Sequence, residues 1–323
     1  MKFTIFLFAA IFAAHTVSAQ AQAYQTAMSV LEISDTEGHR DLDGFVWYPT
    51  QARGPLSYDF ESEVWVGTLV VKDAEPAAGR FPLVVLSHGM FGNAHNQAWL
   101  AGALAQQGYV VAAISHPGTS TWSREPDETR QLWERPRDVS RVIDYVLTSP
   151  ELAEHVSPAG IFMAGHSLGG FTAVALAGGR YDAASLQSFC DETPGELACG
   201  ILDDWNIAKT PADRLKMEAD LSDSRIKAFA VLDLGGTQSF SGDSLGQIDR
   251  PMLVFGAPIM NSGLTLDIES RALIQLLPPG KAEYIEPETL SHFDFLGQCK
   301  PGGFDILQRE EPGDEIICIN GGD

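Results

Sequence analysis

Apolar runs of strand length alternate along this chain with stretches of helical period. Residues 28–33 and 45–48 read as two early strands in an antiparallel start, with Pro49 ending the second. Residues 50–80, rich in Gly, Pro and acids, read as a surface excursion. A strongly apolar strand follows over 81–87, then an Ala/Leu helix over 97–107 closed by Gly108. Residues 109–115 form another buried strand, ending in His116-Pro117-Gly118. Residues 136–147 have the helical period, with Val139, Val142, Ile143 and Val146 on one face. A short apolar strand over 159–164 and a small-residue helix opening over 171–177 come next. The rhythm then breaks. Residues 180–225 carry a Pro-Gly turn at 194–195 and charged helical stretches, and read as a cap-like insertion. Strands at 226–232, 251–256 and 282–285, with a helix around 268–277, restore the alternation. This order predicts a mostly parallel sheet covered by helices on both faces.

The length of 323 residues suits one large α/β domain. Lys2, an apolar stretch over 3–14 and Val17-Ser18-Ala19 before Gln20 read as a secretory leader over residues 1–19. The expected organisation is therefore a leader and a single domain over 20–323, with the insertion at about 180–225. The apolar stretch is short for a membrane span, and no other segment approaches that length. The expectation is a soluble exported protein without stable membrane insertion, periplasmic or secreted according to its host. Four Cys fit an oxidising compartment. Cys190 and Cys199, and Cys299 and Cys318, suggest two local disulfides, although four Cys allow three pairings. None has the close spacing of a zinc or redox motif. A formal charge of −22 opposes nucleic acid and anionic membrane surfaces as partners.

Gly165-His166-Ser167-Leu168-Gly169-Gly170 carries the chemistry. A Ser with Gly two residues to either side, between a strand and a helix, has the form of a nucleophile elbow. The turn is so tight that side chains at the flanking positions would collide. A Ser hydroxyl needs a base within reach and a third group to orient that base. Of eight His, only His292 follows Ser167, in a loop beyond the last expected strand. The expected order of nucleophile, acid and His therefore makes it the candidate base. Asp233 closes the strand 226–232 and is the favoured acid, with Asp267, Asp243, Asp249 and Glu286 as alternatives. Asp294 reads as a turn cap, His166 as packed under the elbow, and His116 as part of a turn. The candidate oxyanion donors are the backbone N–H groups of Leu168 and of Met90, after Ser87-His88-Gly89. Met90 and Phe91 are candidates to line a substrate pocket. The Cys190–Cys199 pair reads as a structural staple.

These stretches give the chain a resemblance to the α/β-hydrolase superfamily over its mature length. More narrowly it resembles exported dienelactone-hydrolase-like proteins and is similar to platelet-activating-factor acetylhydrolases. The matching segments are 86–92, 109–118, 165–170, 226–233 and 291–296. The resemblance implies an α/β-hydrolase fold of the eight-stranded type and a serine carboxylic ester hydrolase. It also implies an acid at Asp233 and an oxyanion donor at Met90. Two departures stand out. Dienelactone hydrolases use Cys where this chain has Ser167, and Gly256-Ala257-Pro258-Ile259 lacks the acid that relatives often carry there. The expected substrate is a small-molecule or lipid ester, either a lipid ester or a short-chain ester, with no metal or organic cofactor. The alternatives are a polyester or aromatic-ester hydrolase, or a silent binding protein on the same fold.

Overall fold

Ten strands form one sheet in the computed structural model, which describes residues 24–35 and 40–319. The leader read over 1–19 lies outside those residues. In chain order the strands are β1 (Gln25–Ile33), β2 (Leu42–Thr50), β3 (Ser57–Asp59), β4 (Thr68–Lys72), β5 (Phe81–Ser87), β6 (Val110–Ser115), β7 (Val156–His166), β8 (Ile226–Leu232), β9 (Met252–Phe255) and β10 (Ala282–Ile285). The helices are α1 (Ala98–Gln106), α2 (Pro126–Thr129), α3 (Glu134–Thr148), α4 (Leu168–Ala177), α5 (Ala183–Glu192), α6 (Leu197–Asp204), α7 (Pro211–Met217), α8 (Gly242–Leu245), α9 (Ser270–Leu276) and α10 (Gly303–Glu310). Across the sheet the order is β10-β9-β8-β7-β5-β6-β2-β1-β4-β3. The run from β10 to β6 is parallel, and β2 joins it antiparallel on β6.

Side chains of a strand alternate between faces, so a strand covered on both sides must be apolar throughout. In β5, Leu83 and Val85 enter the larger core with Val139, Val142, Ile143 and Phe171 of α3 and α4. Val84 and Leu86 enter a second core with Ala98, Ala101 and Ala105 of α1. The small residues of α1 let that helix lie close, and Gly108 at φ +89° turns the chain out of it.

Two local readings differ from the structure. Residues 50–80 are not merely an excursion. They contribute β3 and β4, which extend the edge beyond β1 and bring ten strands where eight were expected. Pro49 does not end β2, which runs to Thr50. β6 pairs with β2 only from Asp43 to Trp47, so the missing Pro49 N–H interrupts no ladder on that side. Between α4 and β8 the chain forms α5, α6 and α7, and Cys190 of α5 is bonded to Cys199 of α6. The tail carries α10 and a 3₁₀ turn (Asp314–Cys318), closed by Cys299–Cys318. It is tied to the edge excursion by Val66 N–H to Gln298 C=O (2.8 Å) and Lys300 N–H to Val64 C=O (2.7 Å).

Register positions the site. Ser87 stands opposite Gly165, His166 opposite Leu232, and Leu232 opposite Phe255. The loops leaving β5, β7, β8 and β9 therefore emerge side by side on one rim.

Candidate active site

The turn from β7 into α4 holds Ser167 at φ +55°, ψ −118°, a conformation that L residues rarely adopt. Its surroundings leave no room for side chains. A Cβ on Gly165 would lie 1.9 Å from the Gly169 carbonyl oxygen, and one on Gly169 would lie 1.9 Å from that of Ser87. Ser167 N–H donates to Leu232 C=O at 2.9 Å, locking the elbow to the end of β8.

Asp233, one residue beyond β8, has φ +47°, a region that Asp tolerates better than most residues. Its Oδ1 accepts from Ala257 N–H (2.9 Å), so the loop after β9 supports the carboxylate from behind. Its Oδ2 lies 2.6 Å from His292 Nδ1. A carboxylate only accepts, so Nδ1 carries the proton and Nε2 is left as the basic nitrogen. His292 opens a 3₁₀ turn (His292–Phe295) in which Asp294 accepts from Ser291 N–H at 2.6 Å. Asp294 is thus a turn cap, as its sequence position suggested. His166 Nε2–H donates to the His292 carbonyl (2.8 Å), and the two rings lie 4.5 Å apart. Burial first, and then the neighbouring His292, hold His166 neutral.

The alternative acids do not meet this ring. Asp267 pairs with Arg271 at 2.7 Å on the surface, and Glu286 pairs with the same guanidinium. Glu269, which the sequence did not single out, is buried beside the 233–237 loop. It accepts from Thr237 N–H at 2.7 Å. Burial, with a smaller contribution from Asp233, pushes its carboxyl up to about 7.

Ser167 and His292 line one cavity of about 410 Å³. Met90 and Phe91 form part of its wall, at the loop after β5. Phe91 N–H donates to Thr119 C=O (2.9 Å) and is engaged, whereas among the described residues no hydrogen bond occupies the amides of Met90 or Leu168. The rest of the lining was not evident in the sequence. Leu197, Ile201 and Trp205 come from the α6 region, and Leu307 and Ile317 from the tail. The Phe91 and Trp205 rings lie 5.5 Å apart, and the Arg124 guanidinium sits 4.4 Å above the Phe91 ring. Both disulfide-closed segments thus contribute walls to the cavity. Among the described residues, no His, Cys, Asp and Glu cluster could hold a metal ion, and no helix is long and apolar enough to cross a membrane.

Comparison with known proteins agrees with this architecture. Residues 80–188 match the family described as serine aminopeptidase, S33. The solved ferulic acid esterase from Streptomyces cinnamoneus superposes with a TM-score of 0.60, covering 94% of this chain and 85% of that one at 22% identity. The chain has the α/β-hydrolase fold. Cutinases est1 and est2 of Thermobifida alba are each 32% identical to this chain over 116 residues. That match spans about 35% of the length of either relative. The narrower acetylhydrolase likeness rests on the sequence motifs alone.

Proposed function

We propose that this α/β-hydrolase cleaves carboxylic esters through an acyl-enzyme formed on Ser167. The observation that carries the reading is the 2.6 Å contact of His292 with Asp233 at the cavity that Ser167 lines. His292 Nε2 takes the Ser167 proton as Oγ attacks the ester carbonyl. The oxyanion is received by the N–H groups of Leu168 and Met90. His292 then returns its proton to the leaving alcohol, and a water molecule repeats the sequence on the acyl-enzyme. Asp233 holds the ring in the required tautomer and stabilises the imidazolium.

The apolar lining and modest cavity volume favour a compact uncharged acyl or aryl group. The Phe91–Trp205 pair also suits an aromatic ester, the second reading, which accords with likeness to a ferulic acid esterase and to cutinases. Two disulfides and the leader read over 1–19 support export. Residues 180–225 serve in this reading as a cap over a single catalytic domain.

A series of p-nitrophenyl esters, beside labelling with a fluorophosphonate, tests the proposal. Turnover and labelling should both vanish in Ser167→Ala. Labelling that persists in the variant, or a wild type inert to every ester, overturns it. A steep preference for acetate favours the short-chain reading, and preference for an aromatic acid favours the second.

A further inference from the structure

Beneath the oxyanion loop the protein builds a second Ser–His–Asp chain that solvent never reaches. Ser87 ends β5, His116 follows β6, and Asp138 lies in the first turns of α3, all at most 1% exposed. Ser87 Oγ lies 2.9 Å from His116 Nε2, and His116 Nδ1 lies 3.0 Å from Asp138 Oδ2. Arg40 closes one end, with Nε and Nη2 donating to Asp138 at 2.8 and 2.7 Å. Arg135 closes the other end. Its guanidinium donates to Ser87 Oγ (3.1 Å), to the His88 carbonyl (2.5 Å), to Thr119 Oγ1 (2.7 Å) and to Thr172 Oγ1 of α4 (3.0 Å).

The direction of each proton is fixed by its partners. Arg only donates and a carboxylate only accepts. Ser87 must therefore give its hydroxyl proton to His116 Nε2, while His116 Nδ1–H points at Asp138. The nucleophile's usual freedom is gone, because an Arg N–H occupies the Ser87 oxygen. The chain continues through the backbone. His116 N–H donates to His88 Nε2 (2.9 Å), which places the remaining His88 proton on Nδ1, donating to the Gly89 carbonyl (2.7 Å). Burial, followed by Arg135, holds both His88 and His116 neutral.

Two successive peptide planes are gripped in this way. Arg135 holds the carbonyl of the His88–Gly89 peptide, and His88 holds that of the Gly89–Met90 peptide. In a planar trans peptide the N–H points opposite to the C=O. A Gly89 carbonyl drawn into the interior therefore turns the Met90 N–H the other way, at a loop that lines the cavity. We infer that the sealed Arg135–Ser87–His116–Asp138 relay, acting through His88, sets the aim of the Met90 oxyanion donor, with Arg135 and His88 as positioning residues. This inference rests on the ester-hydrolase reading above. It also explains why so polar a cluster is kept where apolar packing would serve stability as well or better. A buried guanidinium behind the loop further opposes the charge that develops on the oxyanion.

The test uses the full-length protein as wild type, Arg135→Lys and Ser87→Ala. Reactive sites are counted with a fluorophosphonate, so that kcat is expressed per labelled site and loss of folded protein does not mimic loss of catalysis. Lys cannot reproduce the guanidinium fork. Arg135→Lys should lower kcat per site by about 10²-fold, with KM within about twofold of wild type, as for a donor left misaimed. Ser87→Ala should lower it by about tenfold, and this milder variant decides the matter if Arg135→Lys does not fold. If wild type turns over esters and both folded variants keep its kcat per site, the inference falls alone. If both variants raise KM with kcat unchanged, the relay shapes ground-state binding and the inference is again overturned. If wild type turns over no ester, this inference falls with the reading beneath it.

Discussion

The protein groups Ser, His and Asp twice, once beside a cavity and once in a sealed hydrogen-bonded chain, and the two sets differ in nearly everything else. In the pocket set, Asp233 and His292 lie 2.6 Å apart beside a cavity, and among the described residues no Arg is bonded to either. In the sealed set, Ser87, His116 and Asp138 are closed off by two guanidiniums and lie beneath the surface. The contrast teaches that a Ser–His–Asp connection is not in itself catalytic machinery. Ser167 and His292 line a cavity that a substrate could enter, whereas the sealed set faces none, has its Ser87 oxygen held by Arg135, and is suited to holding backbone in place.

The most forceful way to break this comparison is to remove each Ser in turn. Ser167→Ala should cut ester turnover by about 10⁴-fold or more, against the roughly tenfold loss expected for Ser87→Ala. Equal losses in steady-state assays would erase the distinction. Within the pocket set, Asp233→Asn should cost about 10⁴-fold in kcat by presenting the wrong His292 tautomer. Asp267→Asn, at a surface pair with Arg271, should assay close to wild type. The reverse pattern would move the acid role away from Asp233.

The sealed set should show itself in stability. Asp138→Asn leaves the Arg40 guanidinium without its ion-pair partner and the buried His116 Nδ1–H without its carboxylate, and should destabilise by about 3–5 kcal/mol, read as a fall in denaturant midpoint. A smaller effect on stability concerns Glu269, beside the pocket set. Its carboxyl is raised from 4.5 to about 7 in the fold by burial, so the folded state holds the proton more tightly than the unfolded state. Stability from this group is complete below about pH 4.5 and is lost as pH rises through about 7, by at most about 3 kcal/mol. Glu269→Gln keeps an acceptor for Thr237 N–H and should flatten that loss. Its denaturant midpoint should therefore gain on wild type at pH 8 and not at pH 4. A constant difference across that range would show that Glu269 does not titrate there.

What the sequence determined by itself was local or serial. Gly165 and Gly169 around Ser167 announce the elbow, because only Gly fits where backbone atoms approach within 2 Å of a would-be Cβ. His292 was read as the candidate base from chain order, and Asp233 as the candidate acid from its place at the end of an apolar strand; the two side chains meet in the structure. Both Cys pairs bond to their near neighbours in sequence, as their short separations suggested. What the tertiary structure decided depends on segments far apart in the chain. Arg135 and Asp138 open an amphipathic helix where charges normally meet solvent, and no periodicity shows that β5, β6 and α4 enclose them. The cavity wall likewise joins Trp205 of the insertion to Ile317 of the tail. Only the folded chain brings them together, because burial and the pairing of polar groups are set by what lies across the space between elements rather than by what comes next along the chain.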